Sequence, residues 1–417
     1  MAKHRRTRRS AAAPVFVAGA TAAISTALAL GHATNATAAT IPTADTVIGV
    51  GGWRNPTSDR IPNKFEGALV PPGQTFVGVH YPAQLPVDPS VEAGQQPLDD
   101  AVDAAEGSVL IVGYSEGSLV AERYKRTLTA AEAQNVDFLF IAAPFVPNGG
   151  VYSRFPGLRL PGFTSTGAAA PSPADETFVT LEYDLIGDFP AYANPLSLAN
   201  AVAGLIYVHG DQGPDNVDLE TAPQSVKVVT SEAGGTDTYV LIRAEHLPLL
   251  RPIRDLAAAT GTTGVVEPFV GAVEPTLRLL VDMGYTDRDY RTVGVDDGTD
   301  YQDADRATRF SVFTPPDRIV ETASALPDAL RDGAENFVDA LPSAPATTRV
   351  AKKKQKQIAD DLRDDDTPVQ RNSIGGDTEE EPDSGSRDDE AAETEPAEDD
   401  QGQDPDRDAQ DTPADAA

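Results

Sequence analysis

Between residues 45 and 290, short apolar runs alternate with stretches whose apolar positions recur at helical spacing. Runs of five to seven residues with many β-branched and aromatic side chains are typical of buried strands. They cover residues 46–50, 75–81, 108–112, 136–142, 178–184 and 238–243. Strands that alternate with helices in this way predict an α/β fold, in which helices flank a mostly parallel sheet.

Helical spacing predicts helices over residues 91–105, 116–128, 195–207, 250–258 and 274–283, with Pro97 interrupting the first. Residues 147–176 are instead rich in Gly, Pro, Ser and Ala, and show little periodicity. We expect this segment to be a long irregular loop that forms a lid or rim over a site. Residues 291–350 are polar with only short apolar pieces, so we assign them to a peripheral extension beyond a main domain over 45–290.

The N-terminal segment, residues 1–39, has the composition of a targeting sequence. It opens with a basic cluster, continues through small and apolar residues over 11–30, and reaches Ala36-Thr37-Ala38. This order predicts an export signal peptide that is cleaved at the A-x-A site, with an uncleaved membrane anchor as the alternative. We therefore expect the protein to be secreted or held in the cell envelope.

The formal net charge of −32 is unevenly distributed along the chain. From Asp360 to the end, 23 acidic residues stand against four basic ones, with few large apolar side chains. Because such a segment buries too little apolar surface to offset its ordering entropy, residues 351–417 are predicted to be disordered. The acidic balance argues against nucleic acid as a partner. The chain has no cysteine, which excludes disulfides and thiol chemistry, and we predict no cofactor and no metal.

One short motif, Gly113-Tyr114-Ser115-Glu116-Gly117, lies between a predicted strand and a predicted helix. A serine with glycines two positions before and after it, in that context, is the pattern of the nucleophile elbow of α/β-hydrolase folds. The turn strains the serine backbone, and side chains at 113 or 117 are expected to collide with the neighbouring strand or helix. Ser115 is therefore the candidate nucleophile, and the N–H of Glu116 is a candidate oxyanion donor.

A serine nucleophile needs a histidine base and an orienting carboxylate, which follow it in this fold in the order acid, then histidine. Of five histidines, His209 and His246 follow the serine. We prefer His246, because it comes directly after the last predicted strand, where the fold usually delivers its base; His209 stays open. Asp184 and Asp188 are the candidate acids. Asp184 is preferred because it ends a predicted strand and is in register with the acid of the D-x-V-P-x-L-P pattern of some lipases, whereas Asp188 could instead hold the loop through backbone N–H groups.

The second oxyanion donor is expected from the loop after the first strand, which reads Gly51-Gly52-Trp53. Small residues there would let the backbone approach a substrate, so the donor is assigned to Gly52 or Trp53. Trp53 would either line an acyl pocket or pack against the fold. A plain tight turn is the competing interpretation of this tripeptide.

Several segments together resemble the PE-PPE domain, a serine α/β-hydrolase module of mycobacteria and related actinobacteria. These are the elbow 113–118, the loop 147–156, the stretch Y-D-L-I-G-D-F-P over 183–190, N-A-V-A-G with Y-V-H over 200–209, L-P-L-L-R-P over 247–252 and V-D-M-G-Y over 281–285. The resemblance covers roughly residues 45–290. The PE or PPE domain that often precedes this module has no counterpart in these residues, and we expect general export.

The resemblance implies a cutinase-like or lipase-like fold with activity on acyl esters of lipids or glycolipids, without a cofactor. It leaves both Asp184 and Asp188 as the acid, and it keeps His209 as a candidate because Y-V-H belongs to the pattern. The alternatives are an acyltransferase in glycolipid assembly and a non-catalytic envelope-binding protein on a hydrolase scaffold. Association with the cell envelope or a membrane surface is expected in each case.

Overall fold

The computed structural model describes residues 41–286 and 303–341. The predicted export segment, the predicted disordered tail and parts of the predicted extension lie outside these residues. Within the described ranges, none of the helices has the length and apolar character needed to cross a membrane.

A seven-stranded sheet forms the centre of the described chain. Its strands are β1 (Thr46–Val50), β2 (Thr75–Gly78), β3 (Val109–Tyr114), β4 (Val136–Ile141), β7 (Glu176–Leu181), β8 (Gln224–Thr230) and β9 (Thr236–Ile242). A separate antiparallel hairpin consists of β5 (Arg159–Leu160) and β6 (Phe163–Thr164). The strand order is β2-β1-β3-β4-β7-β9-β8, and neighbours are parallel except β8 and β9. The predicted α/β fold with a mostly parallel sheet is confirmed.

Strand β8 is absent from the sequence prediction, and its position in the sheet explains why. It pairs only with β9, as an antiparallel edge strand. Its outer half is partly exposed, with Val228 at 60% exposure, so Gln224–Thr230 lacks the continuous apolar run of the central strands. Strands β3 and β4 lie inside the sheet and are buried almost throughout, which makes their sequences easy to recognise.

The α-helices of the described residues are α1 (Val87–Ala93), α2 (Gln95–Asp103), α3 (Glu116–Lys125), α4 (Val151–Arg154), α5 (Pro195–Tyr207), α6 (Gln212–Asp215), α7 (Arg251–Ala259), α8 (Thr263–Asp282) and α9 (Pro316–Ala340). Short 3-10 turns cover Ile61–Gly67, Glu132–Asn135 and Pro248–Leu250. The helix predicted over 91–105 is two helices, α1 and α2, and Pro97 lies in the first turn of α2. Helix α8 begins earlier than predicted and continues through Pro268 and Pro275.

Two apolar cores cover the two faces of the sheet. Alternate residues of β4 and β7 divide between them, because successive strand side chains point to opposite faces. On one face Phe140 stacks on Phe138 and Phe178, with ring centroids 5.6 and 5.2 Å away. Leu139 and Ile141 pack into the other core.

Helix α9 lies in the predicted peripheral extension and packs along α8. Phe337 meets Phe269 edge-to-face, with ring centroids 5.4 Å apart. The helices approach so closely at Gly333 that a Cβ there would lie 2.1 Å from the carbonyl oxygen of Ala272. The extension therefore contains a regular helix that its polar composition did not indicate.

Candidate active site

Ser115 stands between β3 and α3 in a strained backbone conformation, with φ 53° and ψ −114°. Non-glycine residues rarely adopt positive φ, at a cost of about 1–3 kcal/mol, and such positions cluster at functional sites. The Ser115 N–H donates to the carbonyl oxygen of Ile141 at 3.0 Å, which fixes the turn to the end of β4.

The two glycines of the motif are required by close approach. A Cβ at Gly113 would lie 2.6 Å from the Cα of Ser118, in the first turn of α3. A Cβ at Gly117 would lie 2.0 Å from the carbonyl oxygen of Val50, at the end of β1. The expected collisions with helix and strand are therefore present, and both obstacles are backbone atoms.

His209 lies in the loop after α5 and faces the serine. Its Nε2 is 2.8 Å from the Oγ of Ser115. Its Nδ1 is 2.8 and 3.0 Å from the two carboxylate oxygens of Asp184. The carboxylate holds the proton on Nδ1 and leaves Nε2 free to accept the proton of the serine hydroxyl. The three side chains form one hydrogen-bonded chain across the carboxyl edge of the sheet.

Asp184 and Asp188 have different surroundings in the turn after β7. Asp184 is 1% exposed, and one of its oxygens also accepts the N–H of Ile186 at 2.9 Å. Asp188 accepts the N–H of Tyr183 at 2.7 Å, and its own N–H donates to the Asp184 carbonyl. Asp188 therefore stabilises the turn that contains Asp184 through backbone hydrogen bonds, which is the role that the sequence analysis considered for it.

The sequence-based preference for His246 does not agree with this geometry. The ring of His246 is half exposed, and its Nδ1 lies 3.1 Å from Glu274 of α8. Hydrogen bonds from His246, Arg254 and the Leu247 N–H outweigh the effect of burial and lower the pKa of Glu274 to about 2. His209 faces the serine instead because the loop after α5 folds back over the end of β3.

The buried side chain of Lys64 contacts the segment that begins at His209, here called the histidine loop. The Nζ of Lys64 lies 2.6 Å from Asp215 and 3.1 Å from Asp211, and its side chain is fully buried. The same ammonium lies 4.5 Å from the ring centre of Tyr114. Burial raises the pKa of Tyr114, so its hydroxyl stays protonated. This hydroxyl donates a hydrogen bond to the backbone carbonyl of His209. No sequence pattern predicts this cluster, because Lys64 and the two aspartates are far apart in the chain.

The proposed oxyanion donors lie against the elbow. Glu116 opens α3 directly after Ser115. Gly52 approaches so closely that a Cβ there would lie 3.1 Å from the Cβ of Ser115. Trp53 is 57% exposed and lines the cavity above the serine, rather than packing into the core. Gly52 therefore lies directly against the side chain of Ser115.

A cavity of about 740 Å³ opens above Ser115 and His209. Its walls are mainly apolar: Leu85, Leu119, Val151, Phe163, Ile186 and Leu205. Its charged wall residues are Arg54, Arg60, Glu116 and Asp211. Val151 and Phe163 come from the irregular segment 147–176, which therefore lines the site. Among the described residues, no cluster of His, Asp or Glu side chains is arranged to hold a metal ion.

The mostly parallel sheet, with a serine elbow after β3 and an aspartate after β7, puts the chain in the α/β-hydrolase fold class. The chain belongs to the PE-PPE domain family, whose model matches residues 62–286, more than half of its length.

Three relatives from Mycobacterium tuberculosis illustrate the range of this family. PPE family protein PPE28 is 32% identical, over 67% of this chain and 42% of its own length. Esterase PE16 is 32% identical, over 59% and 49% respectively. Diacyltrehalose acyltransferase Chp2 is 27% identical, over 55% and 64%. The chain thus spans less than half the length of PPE28 and PE16. A cutinase-like protein from Cryptococcus sp. aligns with 88% of its own chain and 41% of this one, at 19% identity and a TM-score of 0.27.

Proposed function

We propose that the protein is an exported serine hydrolase or acyltransferase that acts on lipid esters through Ser115, His209 and Asp184. The observation that carries this proposal is the unbroken hydrogen-bonded chain from the serine hydroxyl through the imidazole to a buried carboxylate. The names of Esterase PE16 and of the acyltransferase Chp2 support an acyl ester as the substrate. The composition of residues 1–39 supports export.

The first half of the reaction transfers the acyl group to the enzyme. The Oγ of Ser115 attacks the ester carbonyl carbon while the Nε2 of His209 takes its proton. Asp184 stabilises the resulting imidazolium and keeps the ring in place. The tetrahedral intermediate then collapses, His209 returns the proton to the leaving alcohol, and an acyl-serine ester remains.

The negative charge of the tetrahedral intermediate is stabilised by backbone donors. We assign this role to the N–H of Glu116 at the start of α3 and to a second N–H from Gly52 or Trp53. Burial raises the pKa of the Glu116 side chain, although hydrogen bonds to Ser90 and Gln84 act against the rise.

The second half of the reaction depends on the acceptor. Water gives hydrolysis, whereas the hydroxyl of a sugar or glycolipid gives acyl transfer, and His209 activates either in the same way. Apolar walls line the site, and exclusion of water from the acyl-serine would favour transfer over hydrolysis. Incubation of the protein with a p-nitrophenyl ester and a sugar acceptor, followed by product analysis, measures the ratio of free acid from hydrolysis to acylated sugar from transfer.

Substitution of the three side chains tests the mechanism. Ser115→Ala is expected to abolish release of p-nitrophenol from acyl esters and labelling by a fluorophosphonate probe. His209→Ala should lower kcat by at least about 10³-fold, since the base is lost. His246→Ala, which removes a half-exposed ring bonded to Glu274, is the matched control. Full activity in Ser115→Ala would reject the serine mechanism, and loss only in His246→Ala would reject the choice of base. Binding of lipid without turnover in the wild type would favour the non-catalytic alternative.

A further inference from the structure

A second cavity, of about 300 Å³, adjoins the one above Ser115. The two cavities share three wall residues, Val87, Leu119 and Tyr152. We propose that this second cavity is a distal acyl-binding subsite, which holds the far end of a long, unbranched acyl chain whose ester lies at Ser115. The inference rests on the proposed function, because the ester must be the group presented to the serine.

Helix α3 connects the two cavities along one of its faces. Glu116 and Leu119 line the first cavity, while Leu119, Glu122, Arg123 and Arg126 line the second. Residues three and four apart share a helix face, so both cavities lie along the same side of α3. From Ser115 to Arg126 this face advances about 16 Å, at about 1.5 Å per residue.

The length of this face sets the length of the chain that fits. An extended peptide backbone advances about 3.5 Å for every three bonds, and an extended alkyl chain advances by a similar distance per bond. About 16 Å therefore corresponds to an acyl chain of roughly 14 carbons. Leu119 lies about 6 Å from the serine on the same helical scale, which is the reach of only about five carbons. Short acyl groups therefore end in the first cavity, and only longer ones reach past Leu119.

The charged groups of the second cavity are already paired with neighbours. The Asp88 carboxylate accepts the N–H and the hydroxyl of Thr164 at 2.9 and 2.8 Å. Glu122 pairs with Arg126 at 2.8 Å, and Arg123 pairs with Glu92 outside the cavity.

With these charges paired, the remaining walls are mainly apolar: Val87, Val91, Leu119 and the ring of Tyr152, with Thr166 at the rim. Such walls suit an alkyl chain, which needs no hydrogen bond, better than a charged or sugar ligand.

A bulky side chain at the rim tests the subsite. Thr166 is exposed and lines the second cavity, so Thr166→Trp fills that cavity with little effect on the core. Each methylene displaced from an apolar site costs about fourfold in binding. The ratio of kcat/KM for the p-nitrophenyl dodecanoyl ester to that for the butanoyl ester should therefore fall at least tenfold. Thr230→Trp, at an exposed position of the edge strand β8, is the matched control.

Arg123→Trp, at the half-exposed rim on α3, gives an independent second test with the same expected fall. An unchanged ratio in both rim variants, or an equal fall in Thr230→Trp, would overturn the subsite. If the wild type turns over neither ester, the proposed function fails. In that case, the affinities of the wild type and the variants for dodecanoate and butanoate, measured by calorimetry, test the subsite independently of turnover. Weaker dodecanoate binding only in the rim variants upholds it, and equal binding rejects it.

Discussion

Replacement of Lys64 by methionine probes how the histidine loop is held. The side chain is fully buried, and its ammonium pairs with Asp211 and Asp215 while lying over the ring of Tyr114. Methionine has a similar length but no charge, so Lys64→Met removes the ion pairs without opening a large cavity. The two carboxylates then remain beside the histidine loop without their shared cation.

The size of the effect follows from the burial of each partner. Removal of one member of a fully buried ion pair costs about 3–5 kcal/mol. Here the side chains of Asp211 and Asp215 are 34% and 25% exposed, and Asp211 keeps a second partner, Arg60, at 2.7 Å. Partial solvation of both carboxylates reduces the cost, and we expect the free energy of unfolding to fall by about 2–3 kcal/mol.

Turnover should fall as well, because the loop carries His209. Displacement of a catalytic group by about 1 Å costs about 10²-fold, so we expect kcat to fall between tenfold and a hundredfold while KM changes little. Urea unfolding measures the stability, and hydrolysis of p-nitrophenyl butanoate measures kcat and KM.

The matched control is Arg60→Met, which removes only the half-exposed partner of Asp211 and should cost less than about 1 kcal/mol. A loss below 1 kcal/mol in Lys64→Met, with kcat within twofold of the wild type, would refute the reasoning.

Two further predictions concern stability. Glu274 has a pKa lowered from 4.5 to about 2, so its ionised form stabilises the fold above pH 4.5, and that contribution is lost as the pH falls towards 2. Urea unfolding at pH 7 and pH 3 should show that acid lowers the free energy of unfolding, by an amount that this group limits to about 3 kcal/mol. The decrease should be smaller in Glu274→Gln. An equal decrease in both proteins would contradict the lowered pKa of Glu274. Gly117→Ala places a Cβ 2.0 Å from the carbonyl oxygen of Val50 and should cost about 3 kcal/mol or more in thermal unfolding. Gly264→Ala, where a Cβ meets no atom within 4 Å, should change stability by less than about 1 kcal/mol, and equal effects at the two glycines would contradict the steric argument.

The sequence by itself determined the features that depend on a few neighbouring residues. The buried strands, the helix Pro195–Tyr207 and the serine elbow follow from periodicity and from local steric limits on the backbone. The glycines at 113 and 117 were interpretable because a strand-turn-helix elbow brings the same backbone atoms close wherever it occurs. The order of serine, acid and histidine also follows from the chain alone.

Only the tertiary structure selected among residues that are equivalent in sequence. Asp184 and Asp188 lie in one turn, and the hydrogen bonds of that turn assign one to the histidine and the other to the backbone. His209 and His246 each follow a regular element, and the path of the loop after α5 decides which of them reaches Ser115. That path depends on contacts between distant segments, such as Lys64 with Asp211, which periodicity and local spacing do not encode.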